Sequence, residues 1–364
     1  MKPDERLLLQ AILDENDQVS WNCFEKWAAM TDLDNIEGGS YRLIPALYKR
    51  MIRISDDFTS KNRMKGIYRY FVYRNNLILH RTKEVLLALN ANKIPYIVLK
   101  GGALLASYYE DKGIRPMNDL DILVDEPFIH ETIKLLDHIG WKPMDKESVN
   151  VNHQAGHAIT FINHDGIELD LHWHVIYQCC WDGADSAYWE NTEKASLVEM
   201  DIHILNPTMQ LFHTCAHGVR WNEMSAIRWI VDAMTIIEKR RKDIDWQLFL
   251  RETKNNKLTP TIKKAVGILH DDFGADIPNS LIDALNQIPT SLTEQKLHEV
   301  LSGTSKHRYI KIRWYIYSLG MPDKNLVQKI IGLPAYLQSL WNLNSKKEIL
   351  PAIITKMKTK KATQ

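Results

Sequence analysis

Ile97-Val98-Leu99-Lys100-Gly101-Gly102, then Arg115 after twelve further residues, then Asn118-Asp119-Leu120-Asp121-Ile122-Leu123-Val124, are the two runs around which the chain is organised. Each contains a short, largely β-branched apolar stretch, so each predicts a buried strand. The glycine pair follows the first strand directly. Lacking side chains, it lets backbone N–H groups approach phosphate oxygens closely. In the second strand, alternation points Asp119 and Asp121 to one face, and two carboxylates so placed can hold a divalent cation. A phosphate cradle beside a metal pair is what phosphoryl chemistry requires.

Downstream, Gly166-Ile167-Glu168-Leu169-Asp170-Leu171-His172-Trp173-His174 alternates strictly. Glu168, Asp170, His172 and His174 share one face, and the apolar residues take the other. His164-Asp165-Gly166 lies between this run and Ala158 to Asn163, which predicts a hairpin. Asp170 is the candidate third carboxylate. With Asp119 and Asp121 it would complete a site for two Mg²⁺, one clamping a triphosphate and one lowering the pKa of an acceptor hydroxyl. Glu168 reads either as a supporting carboxylate or as the base. His172 reads either as a border of the acceptor site or as a satisfied buried histidine.

Outward from this centre the apolar period changes twice. Residues 1–92 carry helical spacing, for example Ile67, Tyr70, Phe71 and Leu77. Residues 93–205 read as strand, helix, strand, helix and hairpin, with helices over Ala103 to Lys112 (closed by Gly113) and Pro127 to Ile139 (closed by Gly140). Residues 206–364 return to helical spacing. Asn206 is placed as an N-cap with Pro207 at N1 and a helix to Gly218, and a longer helix is predicted from Glu223 to Arg241. The class expected is α+β: a small mixed-sheet core between N-terminal helices and a helical C-terminal domain.

The 364 residues are 45% hydrophobic and 25% charged, as in ordinary globular proteins. A net charge of +1 offers no electrostatic case for a nucleic-acid or membrane partner, although a neutral total is compatible with a local patch. The tail after Lys356 is lysine-rich. Cys23, Cys179, Cys180 and Cys215 lack CxxC spacing and read as reduced thiols. No secretory signal and no membrane-length apolar run is present, so a cytoplasmic location is expected.

Taken together, Ile97 to Leu105, Arg115 to Val124 and Glu168 to Trp173 resemble the uncharacterised bacterial nucleotidyltransferase family of the polymerase-beta-like superfamily. His213 to Gly218, Arg228 to Asp232 and Asp245 to Phe249 look like that family's helical half, and the resemblance covers roughly residues 40–260. It implies a nucleotidyltransferase fold in which Asp119, Asp121 and Asp170 bind metal and act in catalysis. Lys100, Gly101, Gly102 and Arg115 would serve the nucleotide, with Arg115 contacting a phosphate or bracing the loop. Gly102 stands where a Gly-Ser pair is common, and Asn118 where serine often precedes the first aspartate.

The expected reaction is Mg²⁺-dependent transfer of a nucleoside monophosphate from an NTP to a hydroxyl or phosphate of a small-molecule or peptide acceptor, releasing pyrophosphate. Glu168 and His172 would border the acceptor. Rival readings are transfer to tRNA or protein and a non-catalytic nucleotide-binding scaffold. His213 and His217 have metal-ligand spacing, but Thr214 follows the first, so a zinc-protease motif is incomplete and structural packing or lining of the cleft is favoured over zinc. Arg228 and Asp232, four apart, are expected to form an ion pair.

Overall fold

The computed structural model describes residues 1–145, 156–219, 226–303, 308–341 and 343–359. Helical periodicity at the N-terminus gives α1 (Pro3–Leu13), α2 (Asp17–Met30), α3 (Gly38–Tyr41), α4 (Ile44–Ile54) and α5 (Lys61–Ala91). The core then runs β1 (Tyr96–Leu99), α6 (Lys100–Ser107), β2 (Asp119–Val124), α7 (Ile129–His138), β3 (Lys142–Pro143), β4 (Ala158–Ile162), β5 (Glu168–His172), α8 (Ser186–Glu190), β6 (Thr192–Leu197) and β7 (Met200–Leu205). Nine helices follow among the described residues: α9 (Pro207–Gly218), α10 (Arg228–Arg240), α11 (Trp246–Asn255), α12 (Thr259–Gly267), α13 (Asn279–Gln287), α14 (Leu292–Ser302), α15 (Arg308–Gly320), α16 (Leu326–Leu340) and α17 (Ile349–Thr359). The class is α+β, with a mixed seven-stranded sheet in the order β3-β4-β5-β2-β1-β7-β6.

Several expected punctuation marks hold. Asn206 accepts a hydrogen bond from the Met209 N–H and starts α9. Gly140, at φ +89°, closes α7, and Gly166, at φ +74°, turns the β4–β5 hairpin. Others differ. Helix α6 begins at Lys100 and ends at Ser107 rather than spanning Ala103 to Lys112. Gly113 is therefore no helix terminator; a Cβ there would lie 2.3 Å from Val72 Cγ2, so its smallness lets the loop press against α5. The expected start of α10 at Glu223 and the last tail residues, 360–364, lie outside the described residues.

The β6–β7 hairpin was not legible. Its two-residue turn is Val198-Glu199, both in left-handed backbone at φ 48° and 65°. Such a turn is normally announced by Asn or Gly, and neither is present.

Two apolar layers hold the sheet. Leu79 and Leu86 of α5 and Ile133 and Leu136 of α7 cover Leu120, Ile122, Leu169 and Leu171 on one face. On the other, a single cluster runs from Leu8 and Leu47 through Leu99 and Leu123 to Phe212, Ile236 and Phe249. The second face is left open at the end where the aspartates stand.

Candidate active site

Parallel pairing of β2 with β5 brings the polar face together in register, with Asp119 opposite Glu168, Asp121 opposite Asp170 and Leu123 opposite His172. Asp121 is 2% exposed. Its Oδ1 accepts a hydrogen bond from Lys100 Nζ and lies 3.0 Å from His172 Nε2. Asp170 Oδ1 accepts from Thr160 Oγ1 on β4 at 2.6 Å, which fixes that carboxylate. Ligand atoms of Asp121, Asp170 and His172 all lie within 4.8 Å of one another, close enough to share a metal ion. The same strand face thus unites the three expected carboxylates with His172. His174, beyond the strand end, turns away to bond Asp185.

The charges in this cluster are unevenly shared. Burial, then the neighbouring Asp121 and Asp170 carboxylates, push the Asp119 carboxyl up to about 7. Burial acts the same way on Asp121, but the Lys100 ammonium and the His172 contact outweigh it and hold its carboxyl far below the usual range. A crowded set of hard oxygen donors, one of them reluctant to ionise, is a fit for a divalent cation. A carboxyl raised in the folded state stabilises fully below its unfolded pKa and loses that contribution as pH rises through the folded value, here from 3.8 towards about 7. Asp119→Asn should therefore stabilise the fold, by on the order of 2 kcal/mol at about pH 8 and by less at about pH 5, and raise the melting temperature accordingly. Melting curves at the two pH values check this; equal or negative shifts at both would contradict it.

Lys100 has left-handed backbone, φ +44°, at the junction of β1 and α6. The conformation costs roughly 1 kcal/mol for a residue with a side chain and is characteristic of functional sites. Gly101 and Gly102 begin α6 behind it. A Cβ at Gly101 would sit 2.8 Å from Arg115 Nη1, and one at Gly102 would sit 2.5 Å from Leu120 Cδ1. Both glycines thus permit close packing, and Gly101 also lines the cleft.

Arg115 is a brace. Buried, it donates through Nε and Nη2 to the two oxygens of Asp232 at 3.0 Å each. Tyr109 Oη donates to the same carboxylate at 2.8 Å. Asn75 of α5 bonds the Arg115 carbonyl and the Met117 N–H, at 2.8 and 2.9 Å. The structure thus pairs Asp232 with Arg115, where helical spacing had suggested Arg228. Arg228 Nη1 donates instead to the Pro116 carbonyl at 2.8 Å. The loop entering β2 is pinned from two helices, α5 and α10.

In front of this frame lies a cleft of about 770 Å³. Lys100, Gly101, Asn118, Asp119 and Asp121 form one wall. Gln210, His213 and His217 of α9 and Arg228 of α10 form another, with Arg42 in the turn between α3 and α4. His213 and His217 pack edge to face, 6.0 Å between ring centroids, and both line the cleft. Gln210 is fully buried, with neither amide atom hydrogen-bonded. Arg42 was missed, because a lone arginine ahead of an amphipathic helix carries no motif. Burial lowers its pKa and that of Arg228, the latter to about 10 with Arg115 and Arg42 adding repulsion, and both remain charged at neutral pH.

The sheet thus sets Asp119 and Asp121 in a cation-lined cleft, with Asp170 paired beside Asp121. Residues 40–274 match the family described as "Uncharacterised nucleotidyltransferase". The chain belongs to that family. No curated protein matches it. Among solved structures it is similar to an antigenic nucleotidyltransferase-like protein from Paracoccidioides brasiliensis, at 12% identity and a TM-score of 0.36, over 60% of this chain and 94% of that one.

Proposed function

We propose that the protein is a Mg²⁺-dependent nucleotidyltransferase that moves a nucleoside monophosphate from an NTP to a hydroxyl or phosphate of a small-molecule or peptide acceptor, releasing pyrophosphate. The observation that carries this reading is the in-register pairing of Asp121 with Asp170, with Asp119 two residues away on the same face. Divalent ions held by Asp119, Asp121 and Asp170 would neutralise the triphosphate and acidify the acceptor hydroxyl. The chain's own residues supply the rest. Lys100 holds Asp121 ionised, and His172 orients it through the same oxygen. The first turn of α6 offers the Gly101 N–H to a phosphate oxygen.

Arg42 and Arg228 are the cations left for the non-reacting phosphates, since Arg115 is neutralised by Asp232. Three crowded guanidiniums, one of them neutralised by Asp232, favour a polyanion. Arg42→Ala should raise the KM for NTP by roughly tenfold with little change in melting temperature, since it removes a charge-assisted contact at an open cleft wall. A variant with wild-type KM would remove Arg42 from the nucleotide site. The four cysteines are free thiols, which supports a reducing, cytoplasmic setting. Among the described residues no helix is long and apolar enough to cross a membrane.

Incubating the protein with each α-labelled NTP, Mg²⁺ and host extract tests the whole reading. A labelled acceptor below protein size should form, and RNA labelling would move the assignment to the tRNA alternative. NTP binding without pyrophosphate release across the extract would favour the non-catalytic scaffold.

A further inference from the structure

The near-neutral total hides a segregation of charge. From Met321 to the C-terminus the sequence holds eight lysines against one aspartate and one glutamate, so the rest of the chain carries a net negative charge. The same segment bears the most concentrated exposed apolar surface among the described residues. Leu326, Val327, Ile330 and Ile331 on α16 are 56–71% exposed, and Leu350 and Ile354 on α17 are 66% and 46% exposed. Their spacing, 326/330, 327/331 and 350/354, puts each set on one stripe of its helix. The opposite side of α16 is the packed one, where Gly332 lies close against the Tyr317 ring system of α15 and Tyr336 stacks on Tyr317, 4.9 Å between centroids. Lys324, Lys346 and Lys347 are exposed beside these stripes.

We propose that α16 and α17 dock the protein on an anionic lipid surface, with the apolar stripes entering the headgroup boundary and the lysines meeting the lipid phosphates. Apolar insertion combined with a basic flank is the composition of interfacial helices, and each lysine near an anionic leaflet adds to the attraction. A nucleic acid would match the lysines and leave the isoleucines in water. A second copy would bury the isoleucines and set lysines against lysines. The lipid surface satisfies both features. It also stands apart from the nucleotide site, so it does not depend on the function proposed for that site.

The test uses the full chain and sedimentation with vesicles of phosphatidylcholine, alone or mixed with phosphatidylglycerol. Binding is expected on the mixed vesicles only, and it should weaken at high salt. Ile330→Glu with Ile331→Glu should lower the affinity by about tenfold or more, since it places charge at the inserting face. Because both side chains are already in water, melting temperature should not change. Lys346→Glu with Lys347→Glu should weaken binding without touching the apolar stripe. Absence of binding to mixed vesicles overturns the proposal. So does an Ile330/Ile331-dependent dimer, or tighter binding to single-stranded RNA than to the mixed vesicles.

Discussion

Asp121→Asn will leave the fold intact and reduce nucleotidyl transfer by on the order of a thousandfold or more. Among the described residues Asp121 is the carboxylate that belongs both to the cleft wall and to the cluster able to share a metal. Lys100 and His172 converge on one of its oxygens, so its charge is held in place before substrate arrives. Asparagine keeps the volume and removes the charge. Two consequences follow, loss of a metal ligand and release of the Lys100 ammonium from its partner. Catalysis by positioning and charge neutralisation has no second route around that loss. Turnover of labelled NTP, with circular dichroism as the folding control, is the measurement. An Asp121→Asn enzyme running at the wild-type rate would sink the site.

The largest effect on stability is expected at Arg115. Its bidentate bond to Asp232 is buried, and removing one partner of such a pair costs about 3–5 kcal/mol because the other charge is left without compensation. Arg115→Ala and Asp232→Ala should each lower the melting temperature strongly. The double variant should cost much less than the sum of the two, since no orphaned charge remains. This separates bracing from nucleotide binding. If Arg115 chiefly held a phosphate, Arg115→Ala would raise the KM for NTP and melt normally.

Strand β2, the hairpin into β5 and the capped start of α9 were readable because each rests on a local rule: alternation, Asp-Gly at a turn, Asn before Pro. The carboxylate face was readable for the same reason, since alternation alone puts Asp119 with Asp121 and Asp170 with His172. What joins the two pairs is strand register, a non-local property. Arg42 enters the cleft from the turn between α3 and α4, more than fifty residues before β2, and no local pattern marks it. Asp232 was assigned to its helical neighbour Arg228, while the loop delivered Arg115 to it from 117 residues away. Hairpin β6–β7 was hidden because Val198 and Glu199 take a backbone conformation that their side chains disfavour.

The apolar cluster that threads from Leu8 to Phe249 also bears on modularity. Ile97, Leu99, Leu123 and Leu205 in the sheet are covered by helices from both ends of the chain. Cutting out the strand-bearing middle would leave those side chains facing water and would discard Arg42 and Arg228. The transferase centre is therefore not a cassette that a longer gene could borrow by itself. Sequence that precedes the strands and sequence that follows them must travel with it, and substitutions at α1 or α11 bear on the packing beneath the carboxylates of β2.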